Sequence, residues 1–125
     1  MPKYTSLMDA STILDDYSKD IYRGIKEASI EVADKGAKTL RQTSPKKTGK
    51  YRRGWRVKTY EGAYDTMSVI YNATNWQLTH LLENGHITRN GRTKTKPIVH
   101  IYPVEQECIK EFEEDTIKII EKESK

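Results

Sequence analysis

The sequence predicts an α+β chain, and two observations carry that expectation. Apolar residues recur every three or four positions near both ends, whereas β-branched and aromatic residues dominate two short runs in the middle. From Thr12 the series Leu14, Tyr17, Ile21, Ile25, Ala28, Val32 and Gly36, closed by Leu40, has the period of a one-faced helix. Thr12-Ile13-Leu14-Asp15 reads as a capping-box start, and Ser44-Pro45 ends the element because a residue before proline avoids helical backbone. Residues 1–10 are left as a flexible N-terminal arm. Such a helix extends about 45 Å, longer than a domain of this size needs to cover its own core. Gly24 and Gly36 within it permit a bend or a close neighbour.

Trp55 to Tyr60 and Met67 to Asn72 are expected to form a hairpin joined by Glu61-Gly62-Ala63-Tyr64-Asp65. Asn75 reads as the N-cap of a short middle helix, Trp76 to Asn84, with Leu78, Leu81 and Leu82 on one face and Gly85 as its stop. Ile98 to Tyr102 reads as a third strand ended by Pro103. From Glu105 a last helix is expected, with Cys108, Ile109, Phe112, Thr116, Ile119 and Ile120 on one side.

The chain of 125 residues fits one domain, 1–125. Ile, Leu, Val and Phe supply 24 residues, close to the level of roughly 20% at which disorder enters. A net charge of only +4, with eight Tyr and two Trp, argues instead for a folded protein with a thin core, which invites partners. No apolar run is long enough to span a membrane and the first residues do not resemble a signal peptide, so a soluble, unsecreted protein is expected. The single cysteine, Cys108, excludes an internal disulfide and a multi-thiolate zinc site.

Charge is strongly segregated. Lys38 to Lys58 holds Lys38, Arg41, Lys46, Lys47, Lys50, Arg52, Arg53, Arg56 and Lys58 without an acid, and His86 to His100 holds Arg89, Arg92, Lys94 and Lys96 without one. Residues 105–125 carry eight acids against four lysines. These long basic loops opposite an acidic helix suit head-to-tail association or stacking on a partner. Tyr51 and Trp55 among the arginines also keep contact with nucleic acid open, since bases stack on aromatic and guanidinium planes.

Catalytic patterns fail on inspection. Lys46-Lys47-Thr48-Gly49-Lys50 lacks the first glycine of a phosphate loop, and Tyr51 stands where that loop needs Ser or Thr. Thr48-Gly49 and Asn90-Gly91 read as turns. His80, Glu83 and His86 match no zinc-helix spacing, and Glu83 reads as an ion-pair partner of the basic zones. Cys108 reads as a small hydrophobe. No enzyme, metal or cofactor is expected.

The order of motifs adds a likeness. Ser44-Pro45-Lys46-Lys47-Thr48-Gly49-Lys50-Tyr51-Arg52, then Tyr71-Asn72, then Leu78-Thr79-His80-Leu81-Leu82-Glu83-Asn84-Gly85-His86, then Lys96-Pro97-Ile98-Val99-His100-Ile101-Tyr102-Pro103 and an acidic helix resembles the gp-ten-like family of tailed-phage neck proteins. The resemblance spans about residues 11–122, and Tyr102 stands where the family usually has a small residue. Its motif residues here are Pro45, Thr48, Gly49, Leu82, Glu83, Gly85, His86, Pro97 and Pro103. It implies long N- and C-terminal helices packed on a small, mainly antiparallel sheet. It further implies a ring of copies at the head-tail junction of the virion, made in the host cytoplasm and needed to join or complete the tail. The implied partners are other copies, an adjoining head-completion or adaptor protein, a tail-terminator or tail-tube protein, and phage DNA in the channel, met without sequence specificity through the basic loops. The alternative from a different class is a small basic nucleic-acid-binding protein or ribonuclease-like toxin.

Overall fold

A computed structural model describes residues 7–45, 49–62, 65–88 and 91–123, with side chains in the first helix from Asp15 onward. The expectations for residues 1–6, Lys46, Lys47, Thr48, Ala63, Tyr64, Arg89 and Asn90 fall outside the described residues. The fold is α+β, with two long helices around one antiparallel hairpin and a short middle helix. In order it runs α1 (Leu7–Thr43), α2 (Lys50–Arg53), β1 (Trp55–Glu61), β2 (Thr66–Asn72), α3 (Leu78–Asn84) and α4 (Ile101–Glu123).

Helix α1 is the scaffold, 37 residues or about 55 Å long. It begins at Leu7, so Thr12 to Asp15 lie inside the helix and residues 7–10 are helical. Local capping preference yields here to a helical run that continues on its N-terminal side. The buried face of α1 is built from small residues, Ala28, Ser29, Val32, Ala33, Gly36 and Ala37, ending at Leu40. They let two elements approach closely. A Cβ on Gly36 would lie 2.6 Å from Cys108 Sγ and 2.9 Å from Ile70 Cδ1, and one on Gly24 would lie 2.9 Å from Ile119. Both glycines therefore serve packing within the chain. Helix α4 runs antiparallel to α1, Val104 and Cys108 near Gly36 and Ile119 at Gly24.

The hairpin lies along a neighbouring face of α1. Its register pairs Trp55 with Asn72 and Glu61 with Thr66, and alternation sends Trp55, Val57 and Thr59 inward with Ser68, Ile70 and Asn72 opposite them. The turn end is tied down by Tyr22, whose hydroxyl donates to the Asp65 carbonyl at 2.9 Å, by a Lys26–Glu61 ion pair, and by Ser29 Oγ on Ser68 Oγ at 2.7 Å. Ala37, Leu40, Tyr51, Trp55 and Val104 form the one cluster of fully buried apolar side chains among the described residues, in line with the thin core expected from composition.

Four expectations need correction. Ile98 to Tyr102 is not a strand: residues 98–100 are irregular, Ile101 opens α4 and the sheet has two strands. The β-branched residues there are outvoted by a cap described below, and Pro103 sits in the first helical turn, where its missing N–H costs nothing. Helix α3 starts at Leu78, because Asn75 turns the chain by accepting the Leu78 N–H at 3.0 Å. On α4, Ile109 and Ile120 are exposed (46% and 43%), and the inner stripe is Val104, Cys108, Phe112, Thr116 and Ile119. The basic loops are also not irregular throughout. The first contains α2 and runs into β1, and the second is a ribbon in which Thr88 N–H bonds Thr93 O (2.8 Å) and Thr95 N–H bonds His86 O (2.7 Å).

Candidate functional site

Part of each motif string meets in a buried polar joint where α1, α2, β2, α3 and α4 come together. It begins with the end of α1. Ser44, fully buried, continues the helical bonding through its N–H to Leu40 O (2.9 Å), while its hydroxyl accepts the Trp55 indole N–H at 2.8 Å. Its carbonyl accepts Arg52 Nε at 2.9 Å. Pro45 then blocks further helix. Gly49 resumes the described chain at φ 83°, a left-handed conformation that glycine adopts without a side-chain clash, and leads into α2. That single turn presents Tyr51 inward, edge-on to Trp55 with ring centroids 5.5 Å apart.

Asn72 closes the joint from the strand side. Its Nδ2 donates to Tyr51 O at 2.7 Å and its Oδ1 accepts the N–H groups of Asn75 (2.8 Å) and Thr74 (3.2 Å). A buried amide so fully paired fixes both the end of β2 and the turn that follows.

Glu83 is the pivot. From α3 its carboxylate reaches across to the start of α4 and accepts three backbone N–H groups, those of His100 (2.8 Å), Ile101 (2.9 Å) and Tyr102 (2.9 Å). It caps the helix from a different element, satisfying donors that a helix N-terminus leaves open and placing negative charge at the positive end of the dipole. Burial opposes its ionisation, but the three N–H donors and His100 outweigh burial and hold the carboxyl below the usual glutamate range. The expected pairing of Glu83 with the basic zones is thus replaced by a helix cap.

His100 completes the network. Its Nδ1 lies 2.8 Å from Ile98 O and 3.1 Å from Glu83 Oε1, both acceptors, so the ring hydrogen sits there and Nε2 receives the Tyr51 hydroxyl at 2.7 Å. Burial, with the nearby Glu83 charge, pushes the Tyr51 phenol up to about 12, so it remains a donor throughout the physiological range. Leu82 O accepts the Ile98 N–H at 2.7 Å, and Gly85, at φ 76°, turns the chain out of α3 against the Thr95 carbonyl. His86 is held outside the joint, its N–H and Nδ1 on Thr95 Oγ1 at 2.8 and 3.1 Å. His80 is exposed. Pro97 is exposed on the way to α4.

Two basic surfaces spring from this joint. Arg52 is half-buried and anchored on Ser44, so it is a structural residue. Arg56 folds back onto Arg53 O and Trp55 O at 2.6 and 2.9 Å, and Lys50 and Arg53 are exposed beside it. The outer sheet face carries Arg56, Lys58 and Tyr60 on β1 opposite Tyr71, Val69 and Met67 on β2, with Lys58 Nζ 5.1 Å from the centre of the Tyr60 ring. The second surface is the ribbon of residues 86–88 and 91–95, with Arg92 and Lys94 exposed, and Lys96 follows it. The joint does not bring the two basic zones into one pocket. Cys108 is half-buried against Val32 O, and burial with Glu111 and Glu107 pushes its thiol up, which suits packing over reactivity. Among the described residues no three His, Cys, Asp or Glu side chains converge as metal ligands, and no helix is long and apolar enough to cross a membrane.

Tyr51, Asn72 and His100 lie within the motif strings, yet composition and spacing single out neither Asn72 nor His100 and mark Tyr51 only as an aromatic among arginines. Asn72 had one signal, a polar residue ending an otherwise apolar strand. No family model, curated protein or solved structure matches the chain.

Proposed function

We propose that this chain is a structural subunit of the head-tail junction of a tailed phage, acting by contact and without catalysis. One observation carries the reading. Within the strings that resemble the gp-ten-like neck proteins, Ser44, Tyr51, Arg52, Asn72, Leu82, Glu83 and His100 make most bonds of one buried joint, whereas the motif residues His86, Pro97 and Pro103 lie at its outside. A motif scattered over 57 positions of sequence acquires a single physical purpose, the locking of two basic projections onto a thin-cored scaffold. Such a subunit is completed by neighbours: further copies in a ring, a head-completion or adaptor protein above, a tail-terminator or tail-tube protein below. Its basic surfaces then face acidic partner surfaces or DNA phosphates in the channel, where contact needs no base readout.

The outer sheet face, with Arg56 and Lys58 beside Tyr60 and Tyr71, favours one second reading, a small nucleic-acid-binding module. Removing the gene from the phage genome separates the two. Loss of the neck subunit leaves DNA-filled heads and free tails that join when the gene is supplied in trans. Normal infectious particles from the deletion would end the neck reading.

A further inference from the structure

Each strand of the two-stranded sheet has an edge with no strand partner among the described residues, and the edge of β2 is the one that borders a groove. Gly62 N–H bonds Asp65 O and Ala73 N–H bonds Gly54 O, which sets the phase of the ladder. Met67, Val69 and Tyr71 therefore exchange their bonds with β1, and the backbone N–H and C=O groups of Thr66, Ser68 and Ile70 point to the other side. Among the described residues nothing bonds to them there. Beside this edge lies a groove of about 300 Å³, walled across by Ile109 and Phe112 of α4 and floored by Val32 and Ala33 of α1. Two buried hydroxyls without a partner among the described residues flank it: Thr66 Oγ1 on the strand, and Thr116 Oγ1 one turn beyond Phe112 on the same helix face. An unpaired strand edge is a template for pairing with another chain, and orphaned buried hydroxyls are rare in finished structures.

The charge around the groove selects its occupant. Glu105 and Glu113, both exposed, lie one turn to either side of Ile109 on the stripe Tyr102, Glu105, Ile109, Glu113, Thr116 and Ile120, which holds no lysine or arginine; Lys110 flanks that stripe, and Glu105 also borders the cleft beside α3. The same chain carries a fitting element. In the ribbon the bonded pairs are His86 with Thr95 and Thr88 with Thr93, so the backbone groups of the Ile87–Lys94 bridge point outward along its two edges. Ile87 is 68% exposed, an apolar side chain with nothing to cover it, and Lys94 is exposed on the same face of the ribbon.

We infer that the ribbon of one copy adds to the β2 edge of the next, Ile87 entering the groove and Lys94 facing Glu105 and Glu113. The inference rests on the reading of the chain as a self-assembling subunit and names the contact by which it assembles. Main-chain pairing supplies the affinity in this mode and the side-chain pockets supply the specificity. Because each copy offers one ribbon and one groove, the contact is heterologous and propagates into a closed ring or an open chain.

The test uses two variants that break opposite halves. Ser68→Pro removes a backbone N–H that β1 does not use, and Ile87→Glu with Lys94→Glu spoils the ribbon at exposed positions. Native mass spectrometry of the purified chain over rising concentration should show wild type growing beyond dimers and each variant staying monomeric, with circular dichroism confirming that both keep wild-type helicity. An equimolar mixture of the two should give a 1:1 dimer that grows no further, since the intact ribbon of the first fits the intact groove of the second. Should Ser68→Pro lose helicity, Glu113→Lys replaces it as the groove variant. Wild-type growth by either variant, a mixture that stays monomeric, or a wild-type chain that never associates would overturn the contact. The gene-deletion experiment tests the neck reading separately: failed joining alongside normally assembling variants would leave the neck role standing and discard this interface alone.

Discussion

Replacing Glu83 by alanine removes one carboxylate and strands three backbone donors at the start of α4. The cost follows from where those donors lie. The N–H groups of His100 and Ile101 are partly buried, and each loses a charge-assisted bond, about 1–1.5 kcal/mol once partial access to water is allowed for. The Tyr102 donor is exposed, so water replaces the carboxylate at a cost of about 0.3 kcal/mol, and loss of the charge at the helix N-terminus adds about 0.5 kcal/mol. The total is about 3 kcal/mol, a fall in Tm of roughly 8–15 °C for a chain of this size. Thermal unfolding followed by circular dichroism at pH 7 measures it. The pH dependence gives an independent check. Because folding lowers the pKa of Glu83, its stabilisation is complete above the ordinary glutamate value of about 4.3 and is lost as pH falls through the lower folded value. Wild type and variant should therefore converge in strongly acidic solution. A difference under about 1 kcal/mol at pH 7, or one that persists unchanged at acid pH, would refute the capping role.

Three further outcomes are expected. Tyr51→Phe leaves the buried His100 Nε2 without its donor and should cost about 1–3 kcal/mol in urea unfolding; in wild type one tyrosine should resist ionisation up to about 12, with its share of folding stability complete below the ordinary phenol value of about 10 and lost as pH rises from there through the folded value. Gly36→Leu forces a side chain between Cys108 and Ile70 and should cost about 1–3 kcal/mol, whereas the same change at exposed Lys38 should be nearly silent. Deleting residues 88–95 joins Ile87 to Lys96, which flank the His86–Thr95 pair that brings the two arms of the ribbon together, so melting should shift by only a few degrees while lysates accumulate filled heads and unjoined tails; normal joining without the ribbon would remove it from the interface.

Periodicity made the scaffold legible. The spacing from Tyr17 to Leu40 located the packed face of α1, and Ser44-Pro45 gave its end to within a residue. The hairpin was legible too, because its inward residues alternate and its turn is marked by glycine. What composition and spacing could not show was any cap supplied from a distance. Ile98 to Tyr102 has every local mark of a strand, and only the carboxylate of Glu83, 17 positions before His100, turns its last residues into helix. The exposed stripe of α4 was hidden for a related reason. Ile109 and Ile120 fit the periodic face as well as Val104 and Ile119 do, and the position of α1 alone decides which are covered. Glu83 itself was visible as a motif residue but assigned the wrong partner, since nearby charge in sequence is a poor guide to a carboxylate that binds backbone.

The location of the chain in a finished particle tests the central claim most directly. Phage propagated with an epitope-tagged copy of this gene, labelled with gold-conjugated antibody and imaged by electron microscopy, should carry label at the junction between head and tail, several copies to a particle and none along the tail shaft. Particles that join normally yet carry no label, or carry it on the capsid face or tail tip, would contradict the account.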